Sequence, residues 1–222
     1  MATQRVLSLA IWTFSAPFVV ISRCLEIASA TFRADLGLCL KCVDRLGDVV
    51  PAVFIDALVD AEDHRNELHL GVDPIGMLRA LIVRIHTGQV QGASTIEQQF
   101  VRVVTKRYQR TVLRKIREQI LAVAVSRCRK KKAVASAYLA IAFYGSGSVG
   151  VDGLKARFGP ELHRVTDEQS LEFVAQLKYP RPQKPKAAWH NKINARIEAL
   201  TERRRGAANK ALHRTLSLAS RS

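Results

Sequence analysis

The run Thr111-Val-Leu-Arg-Lys-Ile-Arg-Glu-Gln-Ile-Leu-Ala-Val-Ala-Val-Ser-Arg-Cys-Arg129 decides the fold class. Its apolar positions Val112, Leu113, Ile116, Ile120, Leu121 and Val123 to Val125 suit a buried helix, with Thr111 as an N-cap. The same run carries Arg114-Lys115-x-x-Glu118, whose Arg114 and Glu118 are i,i+4 and can pair on one helix face.

Outward from this run the helical signals continue. Ser94-x-x-Glu97 reads as a capping box opening a helix to about Tyr108. Asp73-Pro74 reads as N-cap and first helical residue for Ile75 to His86, with Gly88 closing that helix. Lys131 to Tyr144 reads as helix, stopped by Gly145-Ser-Gly-Ser. Thr166-x-x-Gln169 is another capping box before Leu171 to Leu177. Pro180, Pro182 and Pro185 predict an extended segment, since proline cannot donate within a helix. Asn191 to Arg205 is a last amphipathic helix, and the basic, Ala/Ser-rich end predicts a frayed tail. Strand signals are nearly absent and no repeat is visible. The chain reads as mainly α.

The 222 residues fit one domain with short appendages. The formal charge of +16 favours anionic partners: nucleic acid, anionic lipid or a polyphosphate ligand. A hydrophobic content of 48% excludes a disordered basic tail as the whole chain. Cys39-x-x-Cys42 has no second pair or clustered His at zinc spacing, so no metal role is assigned to it. Disulfides Cys39–Cys42 or Cys24–Cys128 remain open alternatives. Residues 6 to 22 carry no charge and lie between Arg5 and Arg23. As a helix they give about 25 Å, just under a hydrocarbon core of about 30 Å. An uncleaved N-terminal anchor is the favoured expectation, with a signal peptide or interfacial helix as rivals. The expected domains are an anchor or signal-like segment at 1–30, a catalytic domain at 45–205 and a basic tail at 206–222.

Chemistry concentrates between Glu62 and Glu118. The blocks are Glu62-Asp63-x-x-Asn66-x-x-His69-x-Gly71, then Gly92-Ala-Ser-Thr-Ile-Glu-Gln-Gln99, then Arg114-Lys115-x-x-Glu118. Paired carboxylates suit acid/base chemistry on a sugar, and fixed cations suit a phosphate leaving group. Glu62 is the candidate general base, and nearby cations would keep it ionised. Ser94, Thr95 and Gln98 sit at a helix start, where free N–H groups can bind an anion. Arg102, Arg110, Arg114, Lys115 and Arg117 form either a solvated basic face or a clamp for a diphosphate.

These blocks, with Lys132-x5-Tyr138-Leu139 and Tyr144-Gly145-Ser146-Gly147-x-x-Gly150-Val151, resemble glycosyltransferase family 51. These are the peptidoglycan glycosyltransferases, and the likeness is to their monofunctional biosynthetic transglycosylase type. It covers roughly residues 50 to 180. It implies a lysozyme-like fold of two helical lobes around a cleft, with an N-terminal hydrophobic helix. It also implies an inverting hexosyltransferase that polymerises lipid II and releases undecaprenyl diphosphate. Glu62 would deprotonate the acceptor 4-hydroxyl. Glu118 would orient the donor or assist departure of the leaving group, through cations or a divalent metal, Mg or Mn. Asp63, His69, Ser94, Thr95, Gln98, Gln99, Arg102, Arg110, Arg114, Lys115 and Arg117 would contact substrate; for Asp63, His69 and Gly71 a role in packing and turn formation is an equal expectation. The implied partners are lipid II, the growing glycan strand, the membrane and other cell-wall synthesis proteins, with no nucleic acid. The implied place is the outer face of a bacterial cytoplasmic membrane.

Three positions depart from the family: Asn66 for Phe, Glu97 for Thr or Ser, and Ala140 for Asn. They motivate an alternative, a non-catalytic relative that binds lipid-linked glycan. Glu97 is expected to repel an anionic ligand, so that Glu97→Thr would raise activity. A lysozyme-like hydrolase is disfavoured, because hydrolysis has no need of the basic cluster.

Overall fold

A computed structural model describes the backbone of residues 2–89 and 92–219, with side chains for 13–89, 92–206 and 209. Ten helices run in order: α1 (Ala2–Ala28), α2 (Ala30–Leu46), α3 (Ala52–Glu62), α4 (Pro74–Thr87), α5 (Ile96–Thr105), α6 (Val112–Cys128), α7 (Lys131–Leu139), α8 (Gly150–Phe158), α9 (Asp167–Val174) and α10 (Ala187–Ala219). One small antiparallel hairpin, β1 (Phe143–Gly145) and β2 (Ser148–Val149), is the sheet among the described residues. The mainly α, lysozyme-like expectation holds.

The quoted run is α6, capped by the Thr111 hydroxyl accepting from Arg114 N–H. Its second half, Ile120 to Val125, is buried on every side, while Val112 and Leu113 in its first turn are exposed. Helices α2, α5 and α1 pack around it, and α7 lies against α5 and α2. A second part of the core joins α3, α8 and α9. There Phe54, Phe158 and Phe173 meet with centroids 5.4 to 6.5 Å apart, and Tyr144 lies 4.4 Å from Phe173. Fully burying each such ring contributes about 1.5–3 kcal/mol. Phe54→Ala would open a cavity costing about 3–5 kcal/mol.

Several boundaries differ from the sequence reading. The N-cap of α5 is Thr95, not Ser94: the Thr95 hydroxyl accepts from Gln98 N–H. α5 stops at Thr105, because Lys106 turns left-handed with φ 53°. α7 stops at Leu139, and Phe143–Gly145 is strand. The edge of β1 receives the proline-rich segment, with Arg181 N–H donating to Tyr144 O and Ser146 N–H to Arg181 O. Gly145 makes this approach possible, since a Cβ there would lie 2.4 Å from Arg181 O. α10 continues to Ala219, through the segment read as a frayed tail. All four cysteines are free. Burial, Cys42 and Asp35 push the Cys39 thiol up to about 12.

Residues 6–12 of the expected anchor lie outside the described side chains. The helix holding them is docked: Arg127 of α6 donates to Ser22 Oγ at 2.6 Å and to Glu26 Oε1 at 2.8 Å. Among the described residues no single helix is long and apolar enough to cross a membrane. α1 from Thr13 and α2 pass that test only together, bent by 109°.

Candidate active site

Glu62 is the last residue of α3, and its carboxylate is gripped from two other helices. Gln99 Nε2 donates to its Oε2 at 3.2 Å, and Arg196 Nη2 donates to its Oε1 at 3.0 Å. The Tyr138 hydroxyl donates to Gln99 Oε1 at 2.8 Å, which turns the Gln99 amide so that its NH₂ faces Glu62. Burial, then the Glu62 charge, raises the Tyr138 hydroxyl, so it stays a donor throughout the neutral range. Glu62 keeps 17% of its side chain exposed, enough to meet a ligand.

Glu118 sits in a cage of cations. Arg102 Nε donates to its Oε2 at 3.0 Å, Arg114 Nη1 donates to the same oxygen, and Lys115 Nζ meets its Oε1 at 2.6 Å. Lys115 also donates to Ser94 Oγ at 2.9 Å and Gln98 Oε1 at 2.6 Å, tying α6 to the entrance of α5. Burial pushes the Glu118 carboxyl up. Hydrogen bonds and charge from Arg102 and Lys115 outweigh it and hold the group below its ordinary value. Burial holds the Lys115 ammonium below its ordinary value, partly offset by Glu118. Arg114 Nε is buried with no hydrogen-bond partner among the described residues.

Helix α5 joins the two carboxylates. Gln99 reaches Glu62 and Arg102 reaches Glu118, and these residues are three apart, on one helix face. Arg117 turns toward α2, where it and Arg107 share Asp35 Oδ2 at 2.8 and 3.1 Å, and it stacks over Phe32. Asp35 and Glu118, with these arginines, line one narrow crevice. Arg110 is exposed, with no ion pair among the described residues.

Asp63, His69 and Thr95 are buried beneath this surface. Asp63 Oδ2 accepts from Ile96 N–H at 3.2 Å and from Asn66 Nδ2 at 3.3 Å. The amide at Asn66 therefore supports Asp63, where the family has an aromatic ring. Gly71 N–H donates to His69 Nδ1, so Nε2 carries the proton that meets Asp63 Oδ1 at 3.0 Å. The Thr95 hydroxyl and Gln98 Nε2 both donate to Gly71 O. Gly71 has φ 81°, and a Cβ would lie 2.7 Å from Ala122 O, so only glycine holds this carbonyl in place.

Ligand-type atoms of Asp63, His69 and Glu97 lie within 4.8 Å of one another. The hydrogen bonds just described already use both His69 nitrogens, and Lys131 binds Glu97 at 2.6 Å. Glu118 is likewise saturated by three cations. Glu97 Oε2 is buried with no hydrogen-bond partner among the described residues, so the Asp63, His69 and Glu97 set could take a divalent ion, while Glu118 has no room for one; no step is routed through a metal.

Arg196 and Lys131 carry no role in the sequence reading. Lys132, quoted there, is exposed, while Lys131 reaches inward. Arg196 had a legible signal: it shares the buried stripe of α10 with Ile193 and Leu200. A separate cavity of about 730 Å³ lies between α8, α9 and α10, lined by Arg157, Phe158, Glu172 and Trp189.

The transglycosylase family model matches residues 44–205, most of the chain. The chain belongs to the transglycosylase family. It is 34% identical over 140 residues to penicillin-binding protein 1A of Aquifex aeolicus, covering 62% of this chain and 19% of that protein. It is 37% identical over 143 residues to penicillin-binding protein 1A of Haemophilus influenzae, covering 64% and 17%. The Escherichia coli penicillin-binding protein 1A is 33% identical over 135 residues, covering 60% and 16%. This transglycosylase chain thus matches less than a fifth of each relative's length.

Proposed function

We propose that this transglycosylase is a peptidoglycan glycosyltransferase that polymerises lipid II in bacterial cell-wall synthesis. The observation that carries the reading is the pair of carboxylates on one face of α5, one held by amide and guanidinium, the other in a cage of cations. Glu62 takes the proton of the acceptor 4-hydroxyl. The freed oxygen forms a bond to C1 of the donor sugar from the face opposite the diphosphate, and the C1–O bond to undecaprenyl diphosphate breaks with inversion. Arg102, Arg114 and Lys115 receive the negative charge that grows on the departing diphosphate. Glu118 holds those three cations at one place beforehand. The unpartnered Arg114 Nε supplies a further donor.

A lipid substrate requires a membrane surface. Helix α4 buries only Gly76, while Leu78, Leu81, Ile82 and Ile85 are 47 to 71% exposed on one side. Val112 and Leu113 of α6 add apolar surface, and the charge of +16 adds attraction to anionic headgroups. These features support association with an anionic membrane surface, and the proposed lipid II substrate would put that surface on the outer face of a bacterial cytoplasmic membrane.

The test is incubation of the full-length chain with lipid II in detergent or vesicles, with polymer detected by gel. Glu62→Gln is expected to lower the rate by about 10² to 10⁴. A variant keeping half the rate would remove Glu62 from the mechanism. One observation favours a second reading, a glycan-binding relative without turnover: Glu118 already saturates the cations a diphosphate would need. Lipid II binding with no polymer from the unmodified chain would select it.

A further inference from the structure

Arg196 lies outside all the sequence motifs, yet α10 carries it to the candidate base. Its Nη2 donates to Ala61 O at 2.7 Å and to Glu62 Oε1 at 3.0 Å, and its side chain is 14% exposed. The contact therefore fixes the carboxylate relative to the end of its own helix. Gln99 fixes the other oxygen. Each Glu62 oxygen keeps a lone pair for an incoming hydroxyl. A few residues on, Arg204 Nε pairs with Asp60 Oδ2 at 2.6 Å and Arg203 Nη1 donates to Asp60 O at 3.4 Å, so α10 is tied to α3 through three arginines. Only the Arg196 tie touches Glu62.

We propose that Arg196 is a positioning residue for Glu62, so that α10 is part of the catalytic machinery. This rests on Glu62 being the general base. Arg196 holds one carboxylate rotamer, so that the base meets the incoming hydroxyl in a fixed orientation. The other charged or titratable groups facing this point are Tyr138 on α7, Arg102 on α5, and Asp60 and Asp63 next to Glu62 in the chain. Asp60 and Asp63 have partners of their own, Arg204 and His69, which leaves Arg196 as the cation in contact with Glu62.

The experiment uses the full-length chain with Arg196→Gln, Arg196→Lys and, as a control, Arg204→Gln. Polymerisation rates are taken at neutral pH with lipid II varied. Arg196→Gln is expected to lose about tenfold or more in kcat, with KM nearly unchanged. Added guanidinium should restore part of the rate. Arg204→Gln weakens the docking of α10 without touching Glu62, and should keep kcat within about twofold. If the two variants match, Arg196 merely docks the helix and the proposal fails.

A readout without turnover is the Glu62 carboxyl carbon, observed by NMR at one neutral pH in ¹³C-glutamate-labelled protein and assigned with Glu62→Gln. Its resonance should shift in Arg196→Gln, which removes the hydrogen bond to Oε1, and stay in place in Arg204→Gln. An unmoved resonance overturns the proposal. Should the unmodified chain make no polymer, the transferase reading fails, while this resonance still decides whether Arg196 holds Glu62. Arg196→Lys carries the test should the Gln variant not fold. A single ammonium reproduces the charge but not the guanidinium geometry, so kcat should fall several-fold. Unchanged kcat in the Lys variant would overturn the positioning claim.

Discussion

Lys131 Nζ lies 2.6 Å from Glu97 Oε1, joining the first turn of α7 to the first turn of α5. Glu97 is 1% exposed, so its carboxylate points into the domain and not at a ligand. The sequence expectation that Glu97 repels a diphosphate fails on this geometry. Removing a buried carboxylate strands its partner cation.

Glu97→Thr is therefore expected to destabilise the fold by about 3 kcal/mol, where breaking a buried pair costs about 3–5. Adding Lys131→Met should recover part of that loss. Urea melts of the two variants check this. A stable, more active Glu97→Thr would restore the repulsion idea.

The sequence made the helices around the site legible wherever a cap coincided with an apolar period, as at Thr111 and Asp73-Pro74. It misplaced the cap of α5 by one residue, because Ser94 and Thr95 offer the same hydroxyl chemistry. Tertiary contacts separate them: Thr95 also donates to Gly71 O, and Ser94 faces Lys115. Arg117 lines the same crevice as Arg114 but pairs with Asp35, not Glu118. Residues three apart share a helix face, but Asp35 lies 82 positions away and no local pattern announces it. Of the two roles read for Asp63 and His69, packing and substrate contact, the geometry displays packing: they form a buried hydrogen-bonded pair under the α5 N-terminus.

Glu118 gives a pH-dependent prediction. Its folded pKa is depressed, so its stabilising contribution is fully present above the unfolded value of about 4.3 and is lost as pH falls through the folded value. Glu118→Gln should be less stable by about 2 kcal/mol at pH 7. That is below the fully buried range, because Arg102 and Lys115 are a third exposed. The gap to the unmodified chain should shrink below about pH 4. Thermal melts from pH 3 to 7 measure it, and a gap that stays constant with pH would remove the cage from the stability of the domain.

Tyr138 acts on Glu62 only through Gln99. Tyr138→Phe deletes the hydroxyl that orients the amide, at a cost of about 1 kcal/mol, or roughly fivefold in kcat. Gln99→Ala should cost more, and the double variant no more than Gln99→Ala alone. Additive losses in the two variants would show that Tyr138 does not work through Gln99.

The proposed membrane association rests on the exposed apolar side of α4. Starting the chain near Arg45 is a poor test, since α1 and α2 supply Phe32, Leu36, Cys39 and Val43 to the core. Substituting surface positions avoids that fault. Leu78 and Ile85 are 58% and 71% exposed on α4, so Leu78→Asp with Ile85→Asp should leave the melting temperature within about 2 °C of the unmodified chain. An apolar side chain moved from water into the headgroup boundary is stabilised in proportion to its area, at roughly 25 cal/mol per Å². Two such losses, with two added negative charges, should weaken binding to anionic vesicles at least tenfold. High salt should weaken the unmodified chain much less than it weakens this variant, because screening removes charge attraction and leaves apolar insertion. Co-sedimentation at low and high salt compares the two. Equal binding by both chains, released alike by salt, would mean that α4 does not enter the bilayer and that the +16 charge alone holds the domain there.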